Sequence, residues 1–361
     1  MKSLRQIINS SSSKIAIFGI NVYSERLLNR FNNISKIYLS DPKINIYKGI
    51  DVNSINDINE EIDLLIICSG GRINSSINLC KRCMGNKKII LVHYFELIKQ
   101  NILEKKENLI VMNENISEEY KKEQNKFSKV HDLLEDKKSK FLYNSLIQFR
   151  NDLDITHLKD LDNLEAEQYF EEFLCLGDKP IFVDIGSFDG YTSQKFSEKY
   201  KNYAKIYAFE PETLNFIKTK RNLSKLKRVE IIKKIVSDKA GFASLSNSGS
   251  TSKVNLKGDE NIEVTTIDNE IKLEEKNINF SSIFLKCDTE GFEMSVLNGA
   301  INFIRRYRPN IAFSCYHSPK QMWEIPLELK SIIPDSKLYI RHYTESIYET
   351  VCFLVPDPVE S

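Results

Sequence analysis

Two kinds of apolar patterning alternate along this chain. Short runs rich in β-branched and aromatic residues read as buried strands, and longer stretches with apolar positions every three or four residues read as helices. Lys14 to Gly19 (K-I-A-I-F-G) is a run of the first kind ending in a glycine, and Asn21 to Phe31 has helical spacing. Further strand-like runs stand at Lys36–Leu39, Asp63–Cys68 and Lys88–Val92, with the turn Ser69-Gly70-Gly71 among the segments between them. Strands alternating with helices predict a parallel sheet covered on both faces, so residues 1–105 are expected to form a small Rossmann-like α/β domain. Residues 106–175 are rich in Lys and Glu with few turn residues, which predicts a helical connector. Within it, Asp136 to Arg150 and Glu165 to Phe170 carry aromatics and aliphatics at helical spacing, expected to pack against the following domain.

The third domain is expected over 176–361. Ile181, Phe182, Val183 and Ile185 form a strand that stops at a glycine turn, and Tyr191 to Tyr200 fits a helix. A second strand, Ile206 to Phe209, ends at Glu210, and a helix follows from Glu212 to Leu223. Val229–Val236 is a strand, and the Gly/Ser-rich excursion Gly241–Gly258 is either a lid over a ligand or a plain hairpin. Further strands are read at Ile262–Thr266, Ser281–Asp288 and Pro309–Tyr316, and Leu338–His342 with Ile347–Val355 reads as an antiparallel pair closing the sheet.

Composition narrows the class. The 361 residues carry 51 Lys plus Arg against 50 Asp plus Glu, a net charge of +1, which argues against a nucleic-acid partner. No N/D-P-P-Y/F/W tetrapeptide is present, which argues against an amino-directed nucleic-acid methylase. No apolar run approaches the roughly 20 residues of a membrane span, and the N-terminus lacks the apolar core of a secretion signal. Seven cysteines, an odd number, suggest reduced thiols, so a soluble cytoplasmic protein is expected, with a homo-oligomer left open. Cys80 and Cys83 make a lone C-x-x-C whose reading is helix packing rather than zinc.

Two stretches carry chemistry. In the loop D184-I-G-S-F-D-G190, Gly186 and Gly190 can take positive φ and let a ligand approach the backbone, while Ser187, Asp189, Thr192 and the amides opening the next helix offer polar contacts. Glu210, twenty residues past Gly190, stands where an acid accepts both ribose hydroxyls, beside Pro211. Ser237 and Asp238, the polar turn after the next strand, join this cofactor set. The alternative is an ordinary strand–helix turn. The second stretch is K286-C-D-T-E-G-F-E293, with Glu290 and Glu293 expected near one face of a helix that starts at about Glu290. The strand ending at Tyr316 delivers His317 to the same sheet edge, so Lys286, Asp288 and His317 are candidate catalytic residues and Glu290, Glu293 and Tyr316 candidate substrate contacts. His317, titrating near the free imidazole value of about 6.5, is the expected general base with Asp288 as its partner. A divalent cation among Asp288, Glu290, Glu293 and His317 is the rival reading, and no metal is the expectation. In the N-terminal domain the turn G-I-N-V-Y-S keeps one of three fingerprint glycines, so no dinucleotide is expected there, and Asp41 is either a ribose or base contact or part of a plain turn.

On V183-D-I-G-S-F-D-G190, Y207-A-F-E-P211, V264-T-T-I-D268, F284-L-K-C-D-T-E-G-F-E293, N298-G-A300 and R308-P-N-I, the sequence resembles the FkbM family of S-adenosylmethionine-dependent methyltransferases. The resemblance covers about residues 136–355, because some members also look similar at F-R150 and E-Q-Y-F170. It implies a class I Rossmann-like fold with a mostly parallel seven-stranded sheet and an antiparallel C-terminal strand. It further implies S-adenosylmethionine as cofactor, S-adenosylhomocysteine as product, and O-methylation of a sugar or other hydroxyl-bearing compound, with bacterial surface-polysaccharide pathways as a setting. A sugar or nucleotide sugar is therefore the expected small-molecule partner. A methyltransferase for a non-sugar small molecule, or a nucleotide-sugar binding protein with a non-catalytic methyltransferase fold, are the alternatives. The family often has a glutamate and an aliphatic residue just before the position of His317, where this chain has Ser314, Cys315 and Tyr316.

Overall fold

The computed structural model describes residues 3–59, 61–104, 116–246, 253–255, 260–274 and 278–357. The chain forms two compact units, one of residues 1–117, 144–165 and 343–348, the other of 118–143, 166–342 and 349–361. The segment read as a connector is thus shared between the two units rather than standing between them.

The first unit holds a six-stranded sheet with the spatial order Ile46–Tyr47, Ile50–Ser54, Ile34–Leu39, Ile15–Phe18, Leu64–Ile67, Ile90–His93. All pairings are parallel except the edge hairpin Ile46–Ser54. That hairpin was not foreseen, because I-N-I-Y-K-G-I-D-V alternates weakly and its outer strand is only two residues long. Helix Val22–Arg30 begins at Asn21, whose side chain accepts hydrogen bonds from the Tyr23 and Ser24 amides, so these donors are already satisfied within the protein. Asp41 is exposed and pairs with Lys43 at 3.1 Å. Cys80 and Cys83 lie on helix Ile73–Met84, where Cys80 is fully buried in an apolar cluster with Met84, Ile67 and Ile89, and Cys83 packs against it.

The second unit holds a seven-stranded sheet in the order Ser336–His342, Thr350–Pro356, Asn310–Ser314, Ile283–Cys287, Ile181–Ile185, Lys205–Phe209, Val229–Ile232. The last strand of the chain, Thr350–Pro356, runs antiparallel to both of its neighbours, and every other neighbouring pair is parallel. Central strands Ile181–Ile185 and Ile283–Cys287 are buried along their whole length, so their sequences do not alternate but read as apolar runs interrupted only by Asp184 and Lys286, which pair with each other. The run read as one strand, Val229–Val236, breaks at residues 233–234. Ile235–Val236 leaves the large sheet to pair with Glu260–Thr265 in a four-stranded sheet. The Gly/Ser excursion, read as either a lid or a plain hairpin, pairs Gly241–Ser246 with Lys253–Asn255 as an antiparallel hairpin, and residues 247–252 and 256–259 lie outside those described. Residues 165–170 do not form the expected helix. They make a three-residue 3-10 turn, and Tyr169 adopts φ +73°.

Candidate active site

The carboxyl ends of Ile181–Ile185, Lys205–Phe209 and Ile283–Cys287 open onto a cavity of about 390 Å³ in the second unit. It lies where side chains leave a parallel sheet, the place in such folds where ligands bind.

The first wall is the glycine loop. Gly186 has φ +77°, and a Cβ placed there would come within 1.8 Å of the Asp288 carbonyl, so only glycine lets the two strand ends pass each other. The Gly186 and Ser187 amides donate to the Phe209 carbonyl at 3.1 and 3.0 Å, fixing the loop to the next strand. Beneath it, Asp184 is fully buried, pairs with Lys286 Nζ at 3.0 Å and accepts from Ser193 Oγ at 2.7 Å, while Lys286 donates to the Gly186 carbonyl at 2.7 Å. Burial lowers the Lys286 pKa, but the Asp184 and Asp288 carboxylates outweigh it and hold the ammonium above its usual range. Lys286 borders the cavity and Asp184 does not, so the ion pair braces the loop from below. Ser187, Asp189, Thr192, Glu210 and Pro211 all line the cavity. Ser187 Oγ is buried and has no hydrogen-bond partner among the described residues, and Asp189 Oδ1 accepts from the Tyr191 amide at 3.0 Å.

Glu210 closes one end. Its oxygens accept from the Phe188 and Glu212 amides at 2.8 and 2.9 Å, which fixes the carboxyl while leaving a lone pair on each oxygen. Burial raises its pKa to about 7 against those two hydrogen bonds.

Three residues of the expected cofactor set do not line the cavity beyond Asp184. Gly190 has φ +85°, but its missing Cβ makes room for Leu223 and Thr219, so its role is helix packing rather than ligand approach. Ser237 and Asp238 lie one step too far along the chain. Lys234, Ile235 and Val236 face the cavity, after which the Ser237 carbonyl turns against Gly299, where a Cβ would meet it at 2.0 Å.

The opposite end gathers oxygen-bearing side chains from four segments. Asp288 lines the cavity and its Oδ2 accepts from Tyr169 Oη at 2.8 Å. Tyr316 Oη donates to Glu349 at 3.0 Å, and Gln168 Nε2 donates to the same carboxylate at 2.5 Å. His317 sits behind this wall with its side chain 1% exposed. Its Nε2 is 3.6 Å from both Asp288 Oδ1 and Glu290 Oε2, and its Nδ1 is 2.8 Å from Glu293 Oε1, an oblique approach that makes the contact an ion pair rather than a straight hydrogen bond.

Two expectations about this end are corrected. The helix begins at Glu293, not Glu290, because Glu290 takes φ +53° in the turn before it. The two carboxylates therefore part: Glu290 faces the cavity, and Glu293 is fully buried, accepting from the Thr289 amide at 2.8 Å and from Gln321. The second correction concerns charge. Burial alone would lower the His317 pKa, but Glu293, Asp288 and Glu290 outweigh it and raise it to about 9. At neutral pH the imidazole is a cation, contrary to the expected titration near 6.5. Burial also raises the carboxyl of Glu290, to about 7, and pushes that of Glu349 up.

Gln168, Tyr169, Phe188, Tyr191, Lys234 and Glu349 border the cavity and were not among the expected site residues. The segment holding Gln168 and Tyr169 was visible in E-Q-Y-F170, but its helical spacing pointed to packing.

The family model described as the methyltransferase FkbM domain matches residues 184–343. No curated protein matches the chain. Among solved structures, methyltransferase FkbM from Methylobacillus flagellatus KT is similar at TM-score 0.75 and 17% identity, over 97% of this chain and 92% of that one. At that identity the likeness speaks for the fold. An rRNA methylase from Streptococcus thermophilus aligns at TM-score 0.30 and 16% identity, over 51% of this chain and 90% of that one. The SAH-bound methyltransferase PaMTH1 of Podospora anserina aligns at TM-score 0.28 and 12% identity, over 50% and 72%.

Proposed function

Because residues 184–343 match the FkbM methyltransferase domain, we propose that the chain uses S-adenosylmethionine to methylate a hydroxyl oxygen of a sugar or polysaccharide precursor. The observation that carries this reading is one cavity with two chemically different ends, Glu210 and the glycine loop at one and an oxygen-rich wall at the other. Glu210 keeps a free lone pair on each oxygen for a ribose diol, and the unpartnered Ser187 Oγ beside it is a buried polar atom in want of a ligand. These two features fit the cofactor. Gly186, Ser187, Asp189, Thr192, Glu210, Pro211 and Lys234 to Val236 are the residues that would hold it.

When bound, S-adenosylmethionine supplies an electrophilic methyl group on a sulfonium. The chain must align an acceptor oxygen with it and take the hydroxyl proton. Carboxylates and phenols at the far end suit an acceptor with several hydroxyls, since Glu349, Asp288 and Tyr316 can each bond one. Glu290 Oε accepts the proton: it borders the cavity, and a carboxyl poised near pH 7 is both partly ionised and basic enough for general-base catalysis. Cationic His317, held by Glu293, sits 3.6 Å from Glu290 and Asp288 and orients the two carboxylates.

A second reading rests on the same wall. Asp288, Glu293 and His317 each offer a ligand atom, all within 4.8 Å of one another, a donor set that would suit Mg²⁺ or Mn²⁺ as a Lewis acid. It requires His317 to lose a proton it holds up to about pH 9.

Calorimetric titration tests the cofactor assignment. At about pH 8, above the raised pKa of Glu210, Glu210→Ala should weaken S-adenosylmethionine binding by about 1.5–3 kcal/mol, roughly 10- to 150-fold, because a charged acceptor is lost. Wild-type affinity in that variant would overturn it. Activity that survives EDTA favours the carboxylate mechanism, and activity abolished by EDTA and restored by Mg²⁺ or Mn²⁺ favours the metal.

A further inference from the structure

Helix Thr213–Asn222 presents an apolar face to solvent, with Leu214 66% and Ile217 57% exposed. At 3.6 residues per turn, Leu214, Ile217, Lys218 and Arg221 fall within an arc of about 100°. The stretch 213–229 holds six cations, Lys218, Lys220, Arg221, Lys225, Lys227 and Arg228, and no acid, in a chain whose charges as a whole nearly balance. All six are exposed, and among the described residues none forms an ion pair with a carboxylate. The patch continues to the rim of the cavity: Phe188 and Tyr191 are 50% and 51% exposed, and Lys218 and Lys195 lie 5.7 and 5.5 Å from their ring centroids.

We propose that this face docks the protein peripherally on an anionic lipid bilayer, bringing the cavity rim to the membrane surface. Aliphatic and aromatic tips surrounded by exposed cations suit an interface where the tips enter the acyl boundary and the cations meet acidic headgroups. A second copy of the chain fits less well, since two-fold pairing of this face would set six cations against the same six. A nucleic acid would use the cations through its phosphates but give the aliphatic Leu214 and Ile217 no counterpart. The proposal goes beyond the methyl-transfer reading and does not depend on the acceptor, although an acceptor carried on a lipid would meet the cavity directly.

Co-sedimentation of the full chain with vesicles tests it, comparing pure phosphatidylcholine with vesicles containing about 30% phosphatidylglycerol at low and high salt. The wild type should bind the anionic vesicles at least about tenfold more tightly than the neutral ones and be released by salt, since each cation near such a surface strengthens attraction roughly fivefold. The double variant K218E/R221E should lose at least about tenfold on anionic vesicles, and L214S/I217S should also weaken binding there. The four side chains are exposed and do not line the cavity, so both variants should keep the wild-type melting temperature and affinity for S-adenosylmethionine. The wild-type lipid and salt dependence stands on its own should a variant fail to fold. No wild-type binding to anionic vesicles, equal binding to both vesicle types, or binding unchanged in both variants would overturn the proposal. So would self-association, or binding to a single-stranded RNA oligonucleotide, that the variants abolish while no vesicle binding is found.

Discussion

Replacing Glu293 by Gln isolates the electrostatics of the candidate site. Glu293 is the nearest anion to His317, at 2.8 Å against 3.6 Å for Asp288 and Glu290, and its side chain is fully buried. Raising the imidazole from 6.5 to about 9 amounts to roughly 3 kcal/mol in favour of the cation, at about 1.4 kcal/mol per unit. Burial opposes that shift, so the three carboxylates together supply more than the net figure. Glu293→Gln keeps the shape and removes the closest charge, and the His317 pKa should then fall by at least about two units, to near or below its ordinary value. Titration of the imidazole signals by NMR measures this, with the His317 resonance identified among five histidines by its loss in His317→Gln. Stability should follow the same linkage. Because the folded pKa is raised, the stabilisation is complete below about pH 6.5 and is lost as pH climbs towards 9, and this fall should flatten in the variant. Cutting one partner from a buried pair costs about 3–5 kcal/mol, so the double variant His317→Gln/Glu293→Gln should be less destabilised than the sum of the singles. A wild-type His317 that titrates near 6.5, or a pKa that stays near 9 without Glu293, would refute the reasoning.

Glu290→Gln should lower kcat by about two to four decades with little change in cofactor affinity, since a base acts mainly in the transition state. The wild-type rate should rise through one ionisation near pH 7, and a variant that keeps this limb would clear Glu290 of the role. Gly186→Ala forces a Cβ to within 1.8 Å of a backbone oxygen at φ +77°, which should cost roughly 3–5 kcal/mol in urea unfolding. A loss under about 1 kcal/mol would mean the strand ends can part.

Much of the second unit was legible because its determinants are local. The strand ends at Ile185, Phe209 and Cys287 announce themselves as predominantly apolar runs, and the glycine loop and Glu210 follow them at fixed spacing, so cofactor candidates could be placed by counting along the chain. Counting failed where the backbone departs from regular geometry. A left-handed turn at Glu290 moved the helix start and separated two carboxylates that helical spacing had put on one face. Tyr169, also at positive φ, and Glu349, after the penultimate strand, reach the cavity from segments 119 and 61 residues distant from Asp288, a closeness no periodicity encodes. The charge of His317 shows the same division. The sequence determined that an imidazole follows one strand and an acid follows its neighbour. Burial of that ring with Glu293 at one nitrogen and two further carboxylates at the other was settled only by tertiary packing, and a proton's affinity depends on those distances and on the exclusion of water, not on the order of residues.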